Sequence, residues 1–147
     1  MSNEEIFIRL LVALVLGMLI GFERILMKHE AGVRTHGLVS MGACLFILTG
    51  IIASVQLNVS QTETVRIIGQ IVAGIGFLGA GLIFINRDGN KKKGLTSAAT
   101  LWTTSGIGAA CGFGLLSLAV MSTVLVLITL TFVSSLEWAA VKMFKKR

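Results

Sequence analysis

The sequence predicts an all-α membrane protein, a single polytopic bundle of five transmembrane helices. Of the 147 residues, 54% are hydrophobic and only 14% are charged, whereas a soluble domain carries about a quarter charged residues. Long apolar runs recur along the chain, and the basic residues are concentrated between them. The chain therefore has too few charges to cover a surface exposed to water.

Three apolar runs predict the first three spans. A bilayer core about 30 Å thick requires roughly 20 helical residues, and residues 6–22, 37–55 and 67–85 come close to that length. The chain begins with "MSNEEIFIRLL", which is acidic where a secretory signal is basic. We therefore expect the first run to remain in the mature protein as a helix.

The region from residue 96 to residue 135 is about twice as long as one span. Its middle, "GIGAACGFG", is rich in glycine. This pattern allows two spans joined by a tight turn, at residues 96–112 and 114–135, or one span preceded by a surface helix. The first half is short for a span and rich in hydroxyl side chains.

The basic residues decide between these alternatives, because Lys and Arg in short loops tend to stay in the cytoplasm. Five spans place eleven of the thirteen basic residues on one side and leave only Arg9 and Arg66 on the other. Four spans reduce this asymmetry to seven against six. We therefore predict five spans in one domain, residues 1–147, with the N-terminus outside and the C-terminus in the cytoplasm.

The stretch "GIGFLGAG", residues 74–81, has the G-x-G-x-x-G spacing of dinucleotide-binding loops. That function requires a preceding strand and a soluble βαβ unit, but this stretch lies inside the third apolar run. Glycines on several faces of a membrane helix allow neighbouring helices to approach closely. We predict a helix-packing role for Gly69, Gly74, Gly76, Gly79 and Gly81.

The composition also disfavours several function classes. The basic excess does not indicate nucleic-acid binding, which needs a basic face on a folded soluble module. The predicted spans contain no Asp or Glu, so one subunit cannot build a carboxylate pathway for ions, although a carbonyl-lined or oligomeric pore stays open. We expect no metal or other cofactor and, with no catalytic triad suggested, no enzyme. Cys44 and Cys111 lie within predicted spans as small apolar side chains.

Polar side chains inside or next to the predicted spans are the residues that most strongly indicate a function. Arg66 and Gln70 share one helical face at the start of the third span, and we expect the Gln70 amide to hydrogen-bond a neighbouring helix. The first predicted cytoplasmic loop, "GFERILMKHEAGVRTHG", is dense in charge. Glu23 and Arg24, where the first helix leaves the membrane, are expected to form an ion pair.

Three ordered stretches resemble a known family: "GFERILMKHEAGVRTHGLVSMGACLF", "RIIGQIVAGIGFLGAGLIF" and "GLTSAATLWTTSGIGAACGFG". They are similar to the signatures of the MgtC/SapB (MgtC/YhiD) family of bacterial inner-membrane proteins, from about residue 9 to residue 114. The resemblance implies a five-helix domain in the bacterial plasma membrane. It also implies functional candidates, which are Glu23, Arg24, Arg34, Thr35, His36, Arg66, Gln70, Thr96 and Trp102.

The resemblance further implies a role in growth at low magnesium and, in pathogens, in survival inside host cells. It implies a regulator that binds membrane partners such as ATP synthase or a P-type magnesium ATPase. Many family members carry a cytoplasmic ACT-like C-terminal domain, and we expect this chain to be a short form without it. The family usually has Thr where Ser97 stands, a change that keeps the hydroxyl.

The leading hypothesis is therefore a non-enzymatic binding protein in the lipid bilayer, with a homodimer through its glycine-rich faces as one expected assembly. The alternative is a transporter or channel for Mg²⁺ or another ion, which rests on Arg66, Gln70 and the hydroxyl-rich fourth span. A third hypothesis is an assembly chaperone for a membrane complex.

Overall fold

The computed structural model describes residues 1–58, 60, 62–85 and 91–133, and these residues form an all-helical bundle. Its helices are α1 (Asn3–Leu26), α2 (Val33–Gln56), α3 (Thr62–Ile85), α4 (Lys91–Gly112) and α5 (Leu116–Ile128). A π-helical turn, Thr129–Val133, follows α5 directly. The predicted all-α fold class is confirmed.

Four segments of the described residues are long and apolar enough to cross a membrane. They are Asn3–Leu26, Val33–Gln56, Thr64–Phe84 and Leu116–Val133. The remaining helix, α4, has 22 residues and is less apolar. Large apolar side chains such as Phe77 and Phe84 are exposed on the outside of the bundle, as expected for a surface that faces lipid. The chain is a membrane protein.

Helix α1 is bounded by capping interactions at both ends. The Ser2 hydroxyl accepts a hydrogen bond from the Glu5 backbone N–H at 3.2 Å, and Glu4 and Glu5 in the first turn complement the helix dipole. With 24 residues, α1 is about 36 Å long. It therefore crosses a bilayer core and extends beyond it.

Helices α1, α2 and α4 approach one another closely through glycines in the interior of the bundle. A Cβ atom at Gly17 of α1 would lie 2.5 Å from the His36 carbonyl oxygen on α2. A Cβ atom at Gly108 of α4 would overlap the carbonyl of Ser40 on α2. Because small residues let helix backbones pack tightly within a membrane, these positions set the spacing of the three helices.

The hydroxyl side chains of α4 bond mainly to the backbone of their own helix. Thr100 donates to the Ser97 carbonyl at 2.8 Å, and Thr104 donates to the Thr100 carbonyl at 2.7 Å. Ser105 donates to the Trp102 carbonyl at 2.7 Å. These bonds lower the cost of burying the hydroxyls away from water. A helix with modest apolar content can therefore lie in contact with α1, α2, α3 and α5.

A tight turn joins α4 to α5, while the crossing of the membrane by α4 stays a prediction. Gly114 has a φ of +79°. Its N–H bonds to the Cys111 carbonyl and the Leu115 N–H bonds to the Ala110 carbonyl, each at 2.9 Å. This pair of bonds is a Schellman motif, in which glycine supplies the left-handed residue after the helix. The glycine-rich segment therefore ends one helix and starts the next.

Helix α3 packs at the edge of the bundle against α4 and α2. A Cβ atom at Gly79 would lie 3.4 Å from the Ala98 Cβ on α4, so Gly79 has the close neighbour we predicted. Gly69, Gly74, Gly76 and Gly81 would meet no described atom within 4 Å. Their packing role is not seen within one chain and stays a prediction for contacts with another chain.

The structure also refines the predicted boundaries. Helix α2 begins at Val33, before the predicted start at residue 37, so His36 lies in its first turn. Helix α3 begins at Thr62, before residue 67. The end of the fifth predicted span, the predicted cytoplasmic tail and residues 86–90 of the basic loop before α4 lie outside the described residues. The side of the membrane on which each terminus lies stays a prediction.

Candidate functional site

A buried group of polar side chains lies at the end of the bundle where α1 ends and α2 and α4 begin. This group, here named the polar cluster, consists of Glu23, Arg24, His29, His36, Ser97 and Thr100. It brings together residues separated by more than sixty positions in the sequence. The interhelical glycine contacts on α1, α2 and α4 allow these side chains to meet.

An ion pair between adjacent residues forms the α1 part of the cluster. The Arg24 guanidinium donates from Nε to Glu23 Oε2, and its Nη2 lies against the same oxygen. Arg24 is 2% exposed and Glu23 is 6% exposed. Glu23 Oε1 is buried and has no hydrogen-bond partner among the described residues. The expected ion pair is therefore present, and one carboxylate oxygen faces the protein interior.

A Schellman motif at the end of α1 places His29 against this ion pair. The His29 N–H bonds to the Arg24 carbonyl and the Lys28 N–H bonds to the Ile25 carbonyl, each at 2.9 Å. Lys28 has a φ of 57°, the left-handed conformation that this motif requires and that glycine usually supplies. The chain therefore turns sharply and brings the imidazole back over Arg24.

His29 links α1 to α4. Its Nε2 lies 3.2 Å from Arg24 Nη1, and its Nδ1 lies 3.2 Å from Ser97 Oγ. Because a guanidinium can only donate, Nε2 must accept, and the remaining imidazole proton lies on Nδ1 and is donated to Ser97. The partners thus specify the neutral Nδ1–H tautomer.

His36 links α2 to α4 and is fully buried. Its Nδ1 lies 3.1 Å from the Gly32 carbonyl oxygen, and its Nε2 lies 3.3 Å from Thr100 Oγ1. A carbonyl can only accept, so Nδ1 donates to Gly32. The imidazole therefore holds the loop before α2 against the first turns of α4.

The family-motif candidates separate into a buried group and an exposed group. Glu23, Arg24 and His36 belong to the polar cluster. Arg34 and Thr35, in the first turn of α2 beside His36, are exposed. The other candidates lie outside the cluster and are also exposed, namely Arg66, Gln70, Thr96 and Trp102. The loop motif thus supplies both buried residues that hold the helix ends together and an accessible surface.

Gln70 does not make the hydrogen bond to a neighbouring helix that we expected, at least with the described residues. It lies instead on the wall of an apolar groove of about 740 Å³ between α2 and α3. Gly42 and Phe46 of α2 and Gly74 of α3 line the same groove, and Ser105 of α4 also borders it. The groove leaves the Gln70 amide open to a group from outside the chain.

A second polar contact lies at the opposite end of the bundle. Arg9 Nη1 donates to the Gly112 carbonyl oxygen of α4 at 2.8 Å, and Nη2 pairs with Glu5 one turn earlier on α1. The bond to Gly112 joins residues that are 103 positions apart in the sequence. With the polar cluster at the other end, this contact shows that α1 and α4 run antiparallel.

His29, Ser97 and Thr100 are the site residues that sequence reasoning missed as candidates. Their residue types gave a weak signal, since the loop histidine stood near charges and the start of α4 was rich in hydroxyls. What the sequence lacked was the pairing between them, which depends on the packing of α1 and α2 against α4. No group of three or more His, Cys, Asp or Glu that could hold a metal ion converges within the described ranges.

Comparison with known proteins identifies related chains. The MgtC family profile matches residues 10–139. Protein MgtC of Salmonella typhimurium strain LT2 is 45% identical over 120 residues, which cover 82% of this chain and 48% of that protein. Protein MgtC of Brucella abortus strain 2308 is 44% identical over 115 residues, covering 78% of this chain and 45% of the relative.

An uncharacterized protein of Synechocystis is 45% identical over 128 residues, which cover 87% of this chain and 52% of that protein. The chain therefore spans about half the length of the curated relatives it matches. No solved structure matches the chain.

Proposed function

The chain belongs to the MgtC family, and from this membership we propose that it is a regulatory protein of the bacterial inner membrane. In this proposal it acts in adaptation to low magnesium by binding a membrane ATPase or an ion-transport protein, such as ATP synthase or a P-type magnesium ATPase. It has no catalytic activity of its own.

The arrangement of the loop motif is the observation that carries this proposal. Glu23, Arg24 and His36 are buried and paired, so their contacts hold the ends of α1, α2 and α4 together. Arg34 and Thr35 are exposed at the same end. A rigid support beneath an exposed arginine and threonine is suited to binding a protein partner, since ordered side chains lose less entropy on association.

The groove between α2 and α3 supports a partner within the membrane. The Gln70 amide needs hydrogen bonds, and an amide left without them in hydrocarbon costs about 2 kcal/mol or more. Gly42 and Gly74, which line the same groove, would meet no described atom within 4 Å if they carried a Cβ. A transmembrane helix of the partner could approach the groove closely and supply a polar group to Gln70.

The contacts of the hydroxyl-rich helix α4 do not favour the alternative of an ion pathway. Thr100, Thr104 and Ser105 donate to carbonyls of α4 itself, whereas a pore requires polar groups directed into a continuous channel. Arg66 and Gln70 are exposed on α3 rather than gathered in the interior. Ser105 borders the same groove as Gln70, but its hydroxyl is engaged by a carbonyl of α4.

Replacing Arg34 with glutamine tests the proposed binding surface. The variant removes an exposed charge, so the protein should fold normally and lose co-purification with its membrane partner and growth support at low magnesium. Lys28→Gln is the matched control, because Lys28 is an exposed basic residue of the loop that precedes α2 and lies outside the candidate set. If Arg34→Gln keeps both partner capture and growth at the level of the control, the exposed loop motif is not the binding surface.

Ion flux in proteoliposomes tests the proposal against transport. Vesicles that contain the purified protein should hold a Mg²⁺ gradient, with a membrane potential imposed, as well as empty vesicles do. Reproducible Mg²⁺ flux that is abolished by Gln70→Ala would make the protein a transporter and overturn the regulatory assignment.

A further inference from the structure

His29 occupies a position in which its protonation would change contacts on two helices. Its Nε2 accepts from Arg24 Nη1, and its Nδ1 donates to Ser97 Oγ. The first bond ties the loop to α1 and the second ties it to α4. A single imidazole therefore connects the α1–α2 loop to both helices, and it does so as the neutral tautomer.

From this geometry we propose that His29 is a pH-sensitive latch, which is closed when the imidazole is neutral and opens when it gains a proton. A proton added at Nε2 occupies the lone pair that accepts from Arg24. Two N–H donors and two positive charges would then face each other over a distance that is now 3.2 Å. The contact would change from attractive to repulsive.

The surroundings of His29 favour this behaviour. Histidine is the side chain whose charge ordinarily changes between about pH 5 and pH 8. The Glu23 carboxylate is engaged by Arg24 through Oε2 and so compensates the guanidinium charge before any proton reaches the imidazole. The elements that meet at His29 carry several charged or titratable residues in this part of the chain, namely Glu23 and Arg24 at the end of α1, Lys28 and Glu30 in the loop, Arg34 and His36 in the first turn of α2, and Lys91, Lys92 and Lys93 in the first turn of α4.

Opening would release the loop while the helices remain packed. The Schellman bonds of the Lys28 and His29 amides lie in the loop that His29 holds and open with it, whereas the interhelical glycine contacts do not involve the imidazole. His36 holds the start of α2 through separate bonds to Gly32 and Thr100. The segment that gains freedom is therefore residues 27–30, since Ala31 is buried against Ile75 and Leu101. This inference concerns the cluster itself and does not depend on the identity of any membrane partner.

Amide hydrogen exchange of the whole protein in lipid nanodiscs tests the latch, with rates corrected for the intrinsic effect of pH. Between about pH 7.5 and about pH 5.5, protection of the Lys28 and His29 amides should fall about tenfold, since hydrogen bonds that hold the loop are lost. Protection in residues 116–133 of the same sample should not change and serves as the internal reference. Equal protection of the loop at both pH values would overturn the proposal.

Two substitutions separate protonation from a general effect of acid. His29→Gln keeps an acceptor for Arg24 and a donor for Ser97 but cannot titrate, so its loop should stay protected at both pH values. His29→Leu removes both bonds, so its loop should exchange rapidly at both. If His29→Gln loses protection at low pH as the wild type does, a group other than His29 is responsible and the latch assignment fails.

Discussion

The guanidinium of Arg9 donates a 2.8 Å hydrogen bond to the carbonyl oxygen of Gly112. Gly112 is the last residue of α4, where carbonyl groups have no partner within the helix. The bond therefore satisfies a helix end with a charged donor and ties it to the first turns of α1. Arg9 also pairs with Glu5, whose side chain is 46% exposed.

Removing the Arg9 guanidinium should destabilise the bundle more than removing its carboxylate partner. We expect Arg9→Gln to lower the free energy of unfolding by about 1 to 2 kcal/mol, because a charged hydrogen bond to a helix end is lost. Glu5→Gln should cost about 0.5 kcal/mol or less, as exposed ion pairs contribute little. Thermal unfolding in detergent, followed by circular dichroism, measures both. Equal losses would show that the Gly112 contact adds nothing.

Replacing Lys28 with glycine should stabilise the protein. Lys28 has a φ of 57°. For a residue with a Cβ this conformation costs about 1 kcal/mol of conformational free energy, a cost that glycine avoids. We expect a gain of about 0.5 to 1 kcal/mol in the free energy of unfolding after the backbone entropy of glycine is included. Lys28→Ala removes the same charge but keeps the Cβ, so it should show no gain.

Replacing an interior glycine with alanine should destabilise the bundle. At Gly108 a Cβ would overlap the Ser40 backbone, so Gly108→Ala must separate α2 from α4. We expect a loss of about 2 kcal/mol or more in stability. Gly76→Ala is the matched control, since a Cβ there would meet no described atom within 4 Å. A Gly108 variant as stable as the Gly76 variant would contradict the close approach of these helices.

Breaking the buried ion pair should be costly, whereas replacing both members should be less so. Glu23→Gln leaves the Arg24 charge buried without its counter-charge, and we expect a loss of about 3 to 5 kcal/mol. Glu30→Gln, an exposed carboxylate in the adjacent loop, should be near neutral. The double variant with Glu23→Leu and Arg24→Met should recover part of the loss, because no buried charge remains. A Glu23→Gln protein with wild-type stability would refute the importance of the pair.

The fold could largely be predicted from the sequence because its determinants are local. The length of each span, the position of the polar loops and the glycine-rich turn at Gly114 are each determined by residues that are close together in the sequence. The contact between Glu23 and Arg24 was predictable for the same reason, since the two residues are adjacent.

The site was only partly predictable because its pairs are distant in sequence. His36 and Thr100 are 64 residues apart, and His29 and Ser97 are 68 apart. No sequence period connects them, and their meeting depends on how α1 and α2 pack against α4. The glycines of α3 illustrate the same limit. Their spacing indicated close packing, yet the tightest approaches to backbone atoms involve Gly17 and Gly108, which meet carbonyl groups of α2.

The modest apolar content of α4 bears on the way the protein is made. As a new chain leaves the ribosome, α1, α2 and α3 emerge first, and α1 and α2 are apolar enough to enter the bilayer on their own. Helix α4 gains less from lipid alone, and the surfaces that receive its hydroxyl-rich face belong to the helices already inserted. The packing of α4 into the bundle therefore depends on helices synthesised before it. Helices α1, α2 and α3, against which α4 packs, are thus synthesised before α4 itself.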